Sequence, residues 1–416
     1  MRILYVHNDY ASTSGEEHAA ESLVNLLRQH GHEVAWFRRS SAGLHRSPIR
    51  KAQALLAGIY NPYAARAMET VLDEFRPDIV QVQNLYPLIS TSIFRPIRQR
   101  HIPVVMRCPN YRLFCPNGRH LVHGRVCNKC AGFGHEIWCV IHNCEGDLFK
   151  SLGYAARNTW ARLTRRILNG VDVFIVQSQF QRKVFAARGI SADRIEVVPG
   201  MAPDVSDSPA IGEGVAFVGR ISPEKGVETL VEAARVVPDI PFAIAGDDAG
   251  LAGLRETSPA NVRWHGFLRG EQLADLYRRS RIVVVPSRWY EGFPNVIVQA
   301  MMMGRPVICS NIGGLPEIVD AGNTGLLFET DNASDLARKI RYLYERPALC
   351  RQMGAAGRAK ALREYSTQAC YRRLMAAFEK AQQKVDRRQD PCHSHDGRVF
   401  RSCPQQERVP RMQGKG

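Results

Sequence analysis

No stretch of the chain holds the roughly 18 consecutive apolar residues of a membrane-crossing helix, so no spanning segment is expected. The start, Met1-Arg2-Ile3-Leu4-Tyr5-Val6, leads directly into a strand pattern. It lacks the small-residue cleavage site of a secretory leader, which gives the expectation of a cytoplasmic protein. No Asp-x-Asp sequence occupies a suitable turn. Asp247-Asp248 after Gly246 is an adjacent acid pair that reads as a plain turn, so no metal-bridged ligand is expected. The formal net charge is +16, yet no nucleic-acid motif surrounds the Lys and Arg residues and the aromatics are not interleaved with a basic patch. Nucleic acid is set aside as a partner, which leaves an anionic lipid surface or an anionic ligand. The 11 cysteines accompany no export signal and argue against a disulfide scaffold.

What is present is an alternation of apolar strands and amphipathic helices, in a chain of 416 residues that has room for two or three domains. Arg2–His7, Glu33–Phe37, Asp78–Val82, Pro103–Met106, Val173–Val176 and Ile195–Val198 read as strands. Glu16–His30, Asn61–Phe75 and Gln179–Ala187 read as helices between them. Pro199 to Gly214 is rich in Pro, Gly, Ser and Asp and reads as a linker. The alternation then resumes with strands Val215–Val218, Phe242–Ala245, Val262–Trp264, Ile282–Val285 and Val307–Cys309. Its helices are Gly226–Ala234, Glu271–Arg279 and Pro294–Met303. The expectation is an α/β protein of two doubly wound parallel-sheet units, over 1–200 and 213–365, with a further helix over 366–384 and a basic disordered tail over 385–416.

Two stretches of the second unit carry chemistry. Gly219-Arg220-Ile221-Ser222-Pro223-Glu224-Lys225-Gly226 follows a strand and opens a helix, so Arg220 and Lys225 can converge on a diphosphate with the helix N-terminus behind them. Pro286-Ser287-Arg288-Trp289-Tyr290-Glu291-Gly292-Phe293-Pro294-Asn295 follows another strand and opens a helix that Gly304 closes, with Pro294 suited to the first helical position. This sets the Glu291 carboxylate beside free backbone N–H groups at the carboxyl end of a central strand, where open α/β sheets bind ligands. The N–H groups suit a phosphate and the carboxylate suits hydroxyls. Gly15, in the turn after the first strand, permits close approach of an anion to a helix N-terminus; it equally serves as a plain turn residue.

The pattern Pro-Ser-x-x-x-Glu-Gly-Phe, with Ala300-Met301 after it, resembles the signature of the retaining glycosyltransferases of family four, also called group 1. The resemblance covers residues 1–380 or so. It implies the GT-B fold: two Rossmann-like domains facing across a cleft that holds a nucleotide-sugar donor, with the helix over 366–384 crossing back to the first domain. It implies transfer of a sugar, with retention, from a nucleotide diphosphate sugar to a glycan or lipid-linked acceptor in polysaccharide, lipopolysaccharide or related surface-glycan synthesis. Arg220 and Lys225 then bind the donor diphosphate and stabilise the leaving nucleotide, so that catalysis needs no cofactor. Glu291 contacts hydroxyls of the transferred sugar, and Gly15, Gly292, Phe293, Pro294, Asn295 and Gln299 line the donor. Three positions depart from the family: Gln299 replaces a Glu at the ribose, Pro109 of Cys108-Pro109-Asn110-Tyr111-Arg112 replaces a His, and Ser14 replaces a glycine. They keep two other readings open, a non-catalytic nucleotide-sugar or glycan-binding partner and a nucleotide-sugar epimerase on the same fold.

The first unit carries an insertion over 107–146 with cysteines at Cys108, Cys115, Cys127, Cys130, Cys139 and Cys144. Cys127-Asn128-Lys129-Cys130 has the spacing of a metal knuckle, and Cys139 and Cys144 complete four ligands for a structural zinc. A buried thiol cluster is the alternative. After the insertion, Phe149 to Leu168 reads as one helix with Phe149, Leu152, Ala156, Trp160, Leu163 and Ile167 on a narrow stripe, and Arg157, Arg162, Arg165 and Arg166 off it. Such a stripe packs on the domain core or docks on an anionic membrane, which would make the protein peripheral at the inner face of the membrane.

Overall fold

The structure is a computed structural model that describes residues 1–10, 15–42, 47–132, 134–202, 212–247 and 250–389. Ser14, Asp248, the middle of the expected linker and the tail from residue 390 lie outside the described residues.

The first domain is a six-stranded parallel sheet in the order β2-β1-β3-β4-β7-β8, with β1 (Arg2–Asp9), β2 (Glu33–Ser40), β3 (Ile79–Asn84), β4 (Val104–Arg107), β7 (Val173–Val176) and β8 (Ile195–Val197). A small antiparallel ribbon, β5 (Leu121–Val122) and β6 (Arg125–Val126), lies in the insertion. The helices are α1 (Gly15–Gln29), α2 (Pro48–Ile59), α3 (Pro62–Phe75), α4 (Phe94–Gln99), α5 (Ile137–Ile141), α6 (Leu148–Leu163), α7 (Arg166–Gly170) and α8 (Gln179–Ala186). Both faces of the sheet are covered, which is why its strands read as apolar runs rather than alternating ones. Leu4, Val6, Val80 and Val82 face one core, and Ile3, Tyr5, Ile79 and Val105 face the other.

The second domain repeats the plan, with strand order β11-β10-β9-β12-β13-β14. Its strands are β9 (Val215–Val218), β10 (Phe242–Ala245), β11 (Val262–Gly266), β12 (Ile282–Val285), β13 (Val307–Ser310) and β14 (Gly325–Phe328). Around them lie α9 (Val227–Val236), α10 (Ala252–Glu256), α11 (Gly270–Arg279), α12 (Asn295–Met302), α13 (Leu315–Ile318), α14 (Ala333–Tyr344) and α15 (Pro347–Tyr365). The last helix, α16 (Thr367–Gln389), returns to the first domain. Its Cys370, Leu374, Phe378 and Ala381 are buried with Tyr5, Leu23 and Leu27, and Tyr371 stacks on His30 at 3.7 Å.

Four details differ from the sequence reading. The helix expected over 366–384 continues to Gln389, because Val385 extends the buried stripe of Phe378 and Ala381. Pro294 caps α12 from an extended conformation instead of opening it. Helices α2, α4, α5, α10, α13, α14 and α15 and strands β5, β6 and β14 are additions to the sequence reading. The single helix expected over 149–168 breaks at Arg165, whose φ of 49° is left-handed, so Ile167 belongs to α7 and is buried there.

Candidate functional site

β9 and β12 are paired, so the loops that leave their carboxyl ends meet. Gly226, at φ 68°, turns the first loop into α9, and a Cβ built there would lie 1.9 Å from the Pro286 carbonyl oxygen of the second loop. Only glycine permits both the left-handed turn and this approach. The Arg288 N–H then donates to the Glu224 carbonyl at 2.9 Å, locking one loop to the other.

This interlock brings Lys225 Nζ to 2.6 Å from Glu291 Oε1, and the Ser287 hydroxyl donates to the same oxygen at 2.7 Å. Glu291 is 5% exposed. Burial acts to raise its pKa, but the Lys225 charge and the hydrogen bonds from Lys225 and Ser287 outweigh burial and hold it below the ordinary carboxylate range. The group is an anion at neutral pH, fixed in place by two donors. The Lys225 ammonium also lies 5.7 Å from the centroid of the Trp289 ring.

Arg220 stands on the same turn, more exposed, with Nη2 at 2.9 Å from the buried Glu224 carboxylate. Gln299 turns its carbonyl oxygen to the buried Tyr277 hydroxyl, which donates at 3.0 Å. A Cβ at Gly292 would meet the Pro109 carbonyl at 2.5 Å and Gln177 Oε1 at 2.9 Å, so this glycine is a point where the domains touch. Phe293 and Asn295 touch the segment that leaves the first domain: a Cβ at Gly200 would lie 2.5 Å from Phe293 Cδ1 and 2.4 Å from Asn295 Oδ1. Gly15 opens α1 with Glu16 and Glu17 in the first turn, and these acids already complement the positive end of that helix. Its neighbour Glu16 accepts from the Tyr10 hydroxyl at 2.8 Å and from Asn110, next to Pro109, at 3.5 Å. Lys225, Glu291 and Gly292 thus come together, Arg220 stands beside them, and Phe293 and Asn295 point to the interdomain chain.

Four residues at the site carried no sequence assignment. Ser287 orients Glu291. Tyr290 packs across the cleft, with its ring 4.8 Å from Phe180 and 6.2 Å from His120. His120 is 1% exposed, with Nδ1 at 3.0 Å from the Cys127 carbonyl oxygen; burial and the Arg188 charge lower its pKa to about 4, so it is neutral. Glu317 of α13 accepts from the Gln179 and Phe180 backbone N–H groups across the domain boundary. Ser287 and Tyr290 stood in a quoted motif, without a role assigned to them. His120 and Glu317 meet the site only through tertiary contacts from distant segments, which leave no local signal.

In the insertion, Cys115, Cys130 and Cys139 are buried and Cys127 and Cys144 half-buried, all as free thiols. Burial, then the neighbouring Cys115, Cys144 and Cys127, push the Cys130 thiol up to about 12. The Cys139 and Cys144 thiols are hydrogen-bonded to each other, but no three of the described cysteines bring their sulfurs within 4.8 Å of one another. Among the described residues the trio with ligand atoms within 4.8 Å of one another is His7, Asp9 and Glu17, not the cysteines. A tetrahedral zinc cage needs sulfur–sulfur separations of about 3.8 Å. Asp9 of that trio already pairs with Arg38 at 2.7 Å.

The profile described as Glycosyl transferases group 1 matches residues 207–360, and that described as Glycosyl transferase 4-like domain matches residues 14–200. An uncharacterized glycosyltransferase of Methanocaldococcus jannaschii is 34% identical over 167 residues, 39% of this chain and 47% of that protein. The chain thus spans about half the length of this curated relative. Among solved structures, sucrose-phosphate synthase from Thermosynechococcus elongatus superposes with a TM-score of 0.63 at 21% identity, over 90% of this chain and 99% of that one. The Anabaena protein HepE, in complex with UDP and glucose, does so with a TM-score of 0.61 at 17% identity, over 91% and 99%. These likenesses are of fold.

Proposed function

The chain belongs to the group 1 glycosyltransferases and has their GT-B fold, and on that premise we propose that it transfers a sugar, with retention, from a nucleotide diphosphate sugar to a glycan or lipid-linked acceptor. The observation that carries this reading is the 2.6 Å contact between Lys225 and Glu291 at the mouths of two adjacent strands. It puts a phosphate-binding cation and a hydroxyl-binding anion where one donor molecule presents both groups.

In this reading the donor diphosphate lies against the turn after β9. Lys225 and Arg220 neutralise the charge that develops on the leaving nucleotide, and a catalytic metal is not needed. Lys225 shares its ammonium between Glu291 and phosphate oxygens. Glu291, anionic and clamped by Ser287, accepts from sugar hydroxyls and holds the anomeric carbon for attack on the face the nucleotide leaves; it orients and is not a covalent nucleophile. Tyr277 and Gln299 meet the ribose end. The acceptor approaches from the first domain, where Tyr10, Glu16, Asn110 and Arg112 form a linked polar set: Arg112 Nη1 donates to the Tyr10 hydroxyl at 2.5 Å. The insertion is proposed to hold one structural zinc on Cys127, Cys130, Cys139 and Cys144 after the sulfurs draw together, with no step of transfer routed through it.

The experiment is a thermal-shift screen of nucleotide diphosphate sugars, followed by product analysis with the best ligand. A donor at 100 times its Kd adds about 2.7 kcal/mol to the native state. Release of nucleoside diphosphate coupled to glycan extension supports the reading. Interconversion of free donor sugars without an acceptor supports the epimerase, and binding with no turnover supports the non-catalytic partner.

A further inference from the structure

The helix α6 is inside out. At about 100° per residue, Leu148, Phe149, Leu152, Trp160 and Leu163 fall within one arc of about 120°, and that arc faces out. Leu148 is 60% exposed, Phe149 51%, Leu152 51% and Leu163 57%. The opposite face is buried and is small or polar: Ser151, Gly153, Ala155, Arg157, Asn158 and Ala161. Its polar groups are tied down. Arg157 donates to the Pro116 carbonyl at 3.1 Å, Asn158 to the Arg112 carbonyl at 2.7 Å, and Ser151 to Asn143 Oδ1 at 3.1 Å. A helix packed only on its own domain would present the reverse pattern. The two elements packed on α6 continue the apolar surface. α2 meets it where Leu55 lies over Gly153, and its own Ile49 and Leu56 are exposed; α5 adds exposed Ile137 and Ile141.

The rim of this surface is cationic. Arg162, placed off the apolar stripe by the sequence pattern, is not part of the rim: it points inward to Glu136 at 2.6 Å and to the carbonyls of Ala131 and Gly132, bracing the insertion against α6. At the carboxyl end of α6, however, Arg95, Arg98 and Arg166 line a cleft of about 210 Å³ with Thr91, Ser92 and Tyr60. The Arg166 guanidinium lies over the rings of Tyr60 at 4.7 Å and Trp160 at 6.0 Å, joining cleft to apolar face. Exposed Arg165 stands beside it.

We propose that α2, α5 and α6 form a docking face for an anionic phospholipid bilayer, with acyl chains meeting Phe149, Leu152, Trp160 and Leu163 and a lipid phosphate entering the Arg95–Arg98–Arg166 cleft. The argument for a bilayer is the pairing of a broad apolar face with an arginine cleft at its edge, which matches a headgroup layer over acyl chains. It gives the lipid-linked acceptor of the proposed function a location, and it stands or falls separately from the transfer chemistry.

The test is co-sedimentation of the full chain with phosphatidylcholine vesicles containing or lacking 30% phosphatidylglycerol. Binding is expected only to the anionic vesicles. It should weaken as salt shortens the Debye length, drop about tenfold for Phe149→Ser with Leu152→Ser, and drop about fivefold per charge for Arg95→Ser and Arg166→Ser. The substituted side chains lie at the surface, so unchanged melting temperatures verify folding. Three results would overturn the proposal: no sedimentation with anionic vesicles, binding indifferent to the apolar substitutions, or a dimer by analytical ultracentrifugation that Leu152→Ser dissolves while vesicle binding is absent.

Discussion

Glu317 of the second domain caps the helix that holds Phe180 in the first, its carboxylate accepting the Phe180 N–H at 2.5 Å and the Gln179 N–H at 2.6 Å. The helix's own start supplies Ser178, whose hydroxyl accepts the Gln181 N–H at 3.1 Å; Glu317 adds a second acceptor from the facing domain for the two N–H groups before it. The two bonds bridge the domains, so they hold only while the cleft is closed. Glu317→Ala removes about 1 kcal/mol of capping from the closed state alone. The expected result is a several-fold rise in KM for the donor with kcat changed less, and a larger radius of gyration in solution scattering. Unchanged KM and unchanged scattering would show that the cap does not govern closure.

The Tyr277–Gln299 bond sets the second prediction. Gln299→Glu keeps an acceptor for the Tyr277 hydroxyl and adds charge assistance toward ribose hydroxyls, worth about 1 kcal/mol. Donor Kd should hold or tighten by up to about tenfold in calorimetry. Loss of activity would mean that the neutral amide is matched to a particular donor.

Acid should act on the Lys225–Glu291 pair in one direction. The folded carboxyl sits below its ordinary range, so the unfolded chain binds the extra proton first. The pair's contribution to stability is present above the ordinary carboxylate range and is lost as pH falls through the depressed folded value. Urea unfolding of wild type and Glu291→Gln should therefore show its largest gap near neutral pH and a shrinking gap under acid. A gap that widens on acidification would reverse this sign.

Much of this was legible in local sequence. The β-branched run Ile282–Val285 and the apolar run Val215–Val218 announced parallel strands, and the two βα turns announced Lys225 and Glu291. The opposite orientation of α6 was not legible, because an apolar stripe has the same period whether it faces in or out. What decides the matter is the small and hydrogen-bonded face formed by Gly153, Arg157 and Asn158, and those partners come from the insertion and from α2. The roles of Tyr290, His120 and Glu317 were not legible for a similar reason: each meets a partner on the other side of the cleft. Phe293 and Asn295 sat in the motif, and their contact with Gly200 of the interdomain segment was not legible from it.

The cysteine cluster yields a test of its own. If Cys127, Cys130, Cys139 and Cys144 close on zinc, elemental analysis of chelator-free protein gives about one zinc per chain, and chelation lowers the melting temperature. Metal-free protein with an unchanged melting temperature would leave these residues, with Cys115, as a buried thiol cluster.

The central claim is that Glu291, held by Lys225 and Ser287, positions the transferred sugar. The most direct measurement is kcat for sugar transfer by Glu291→Ala, with donor affinity measured in parallel. Loss of one positioned charged group costs about 2.7–4 kcal/mol of transition-state stabilisation, so kcat should fall about 100- to 1000-fold while the nucleotide diphosphate still binds through Arg220 and Lys225. Near-normal turnover in Glu291→Ala would contradict the account.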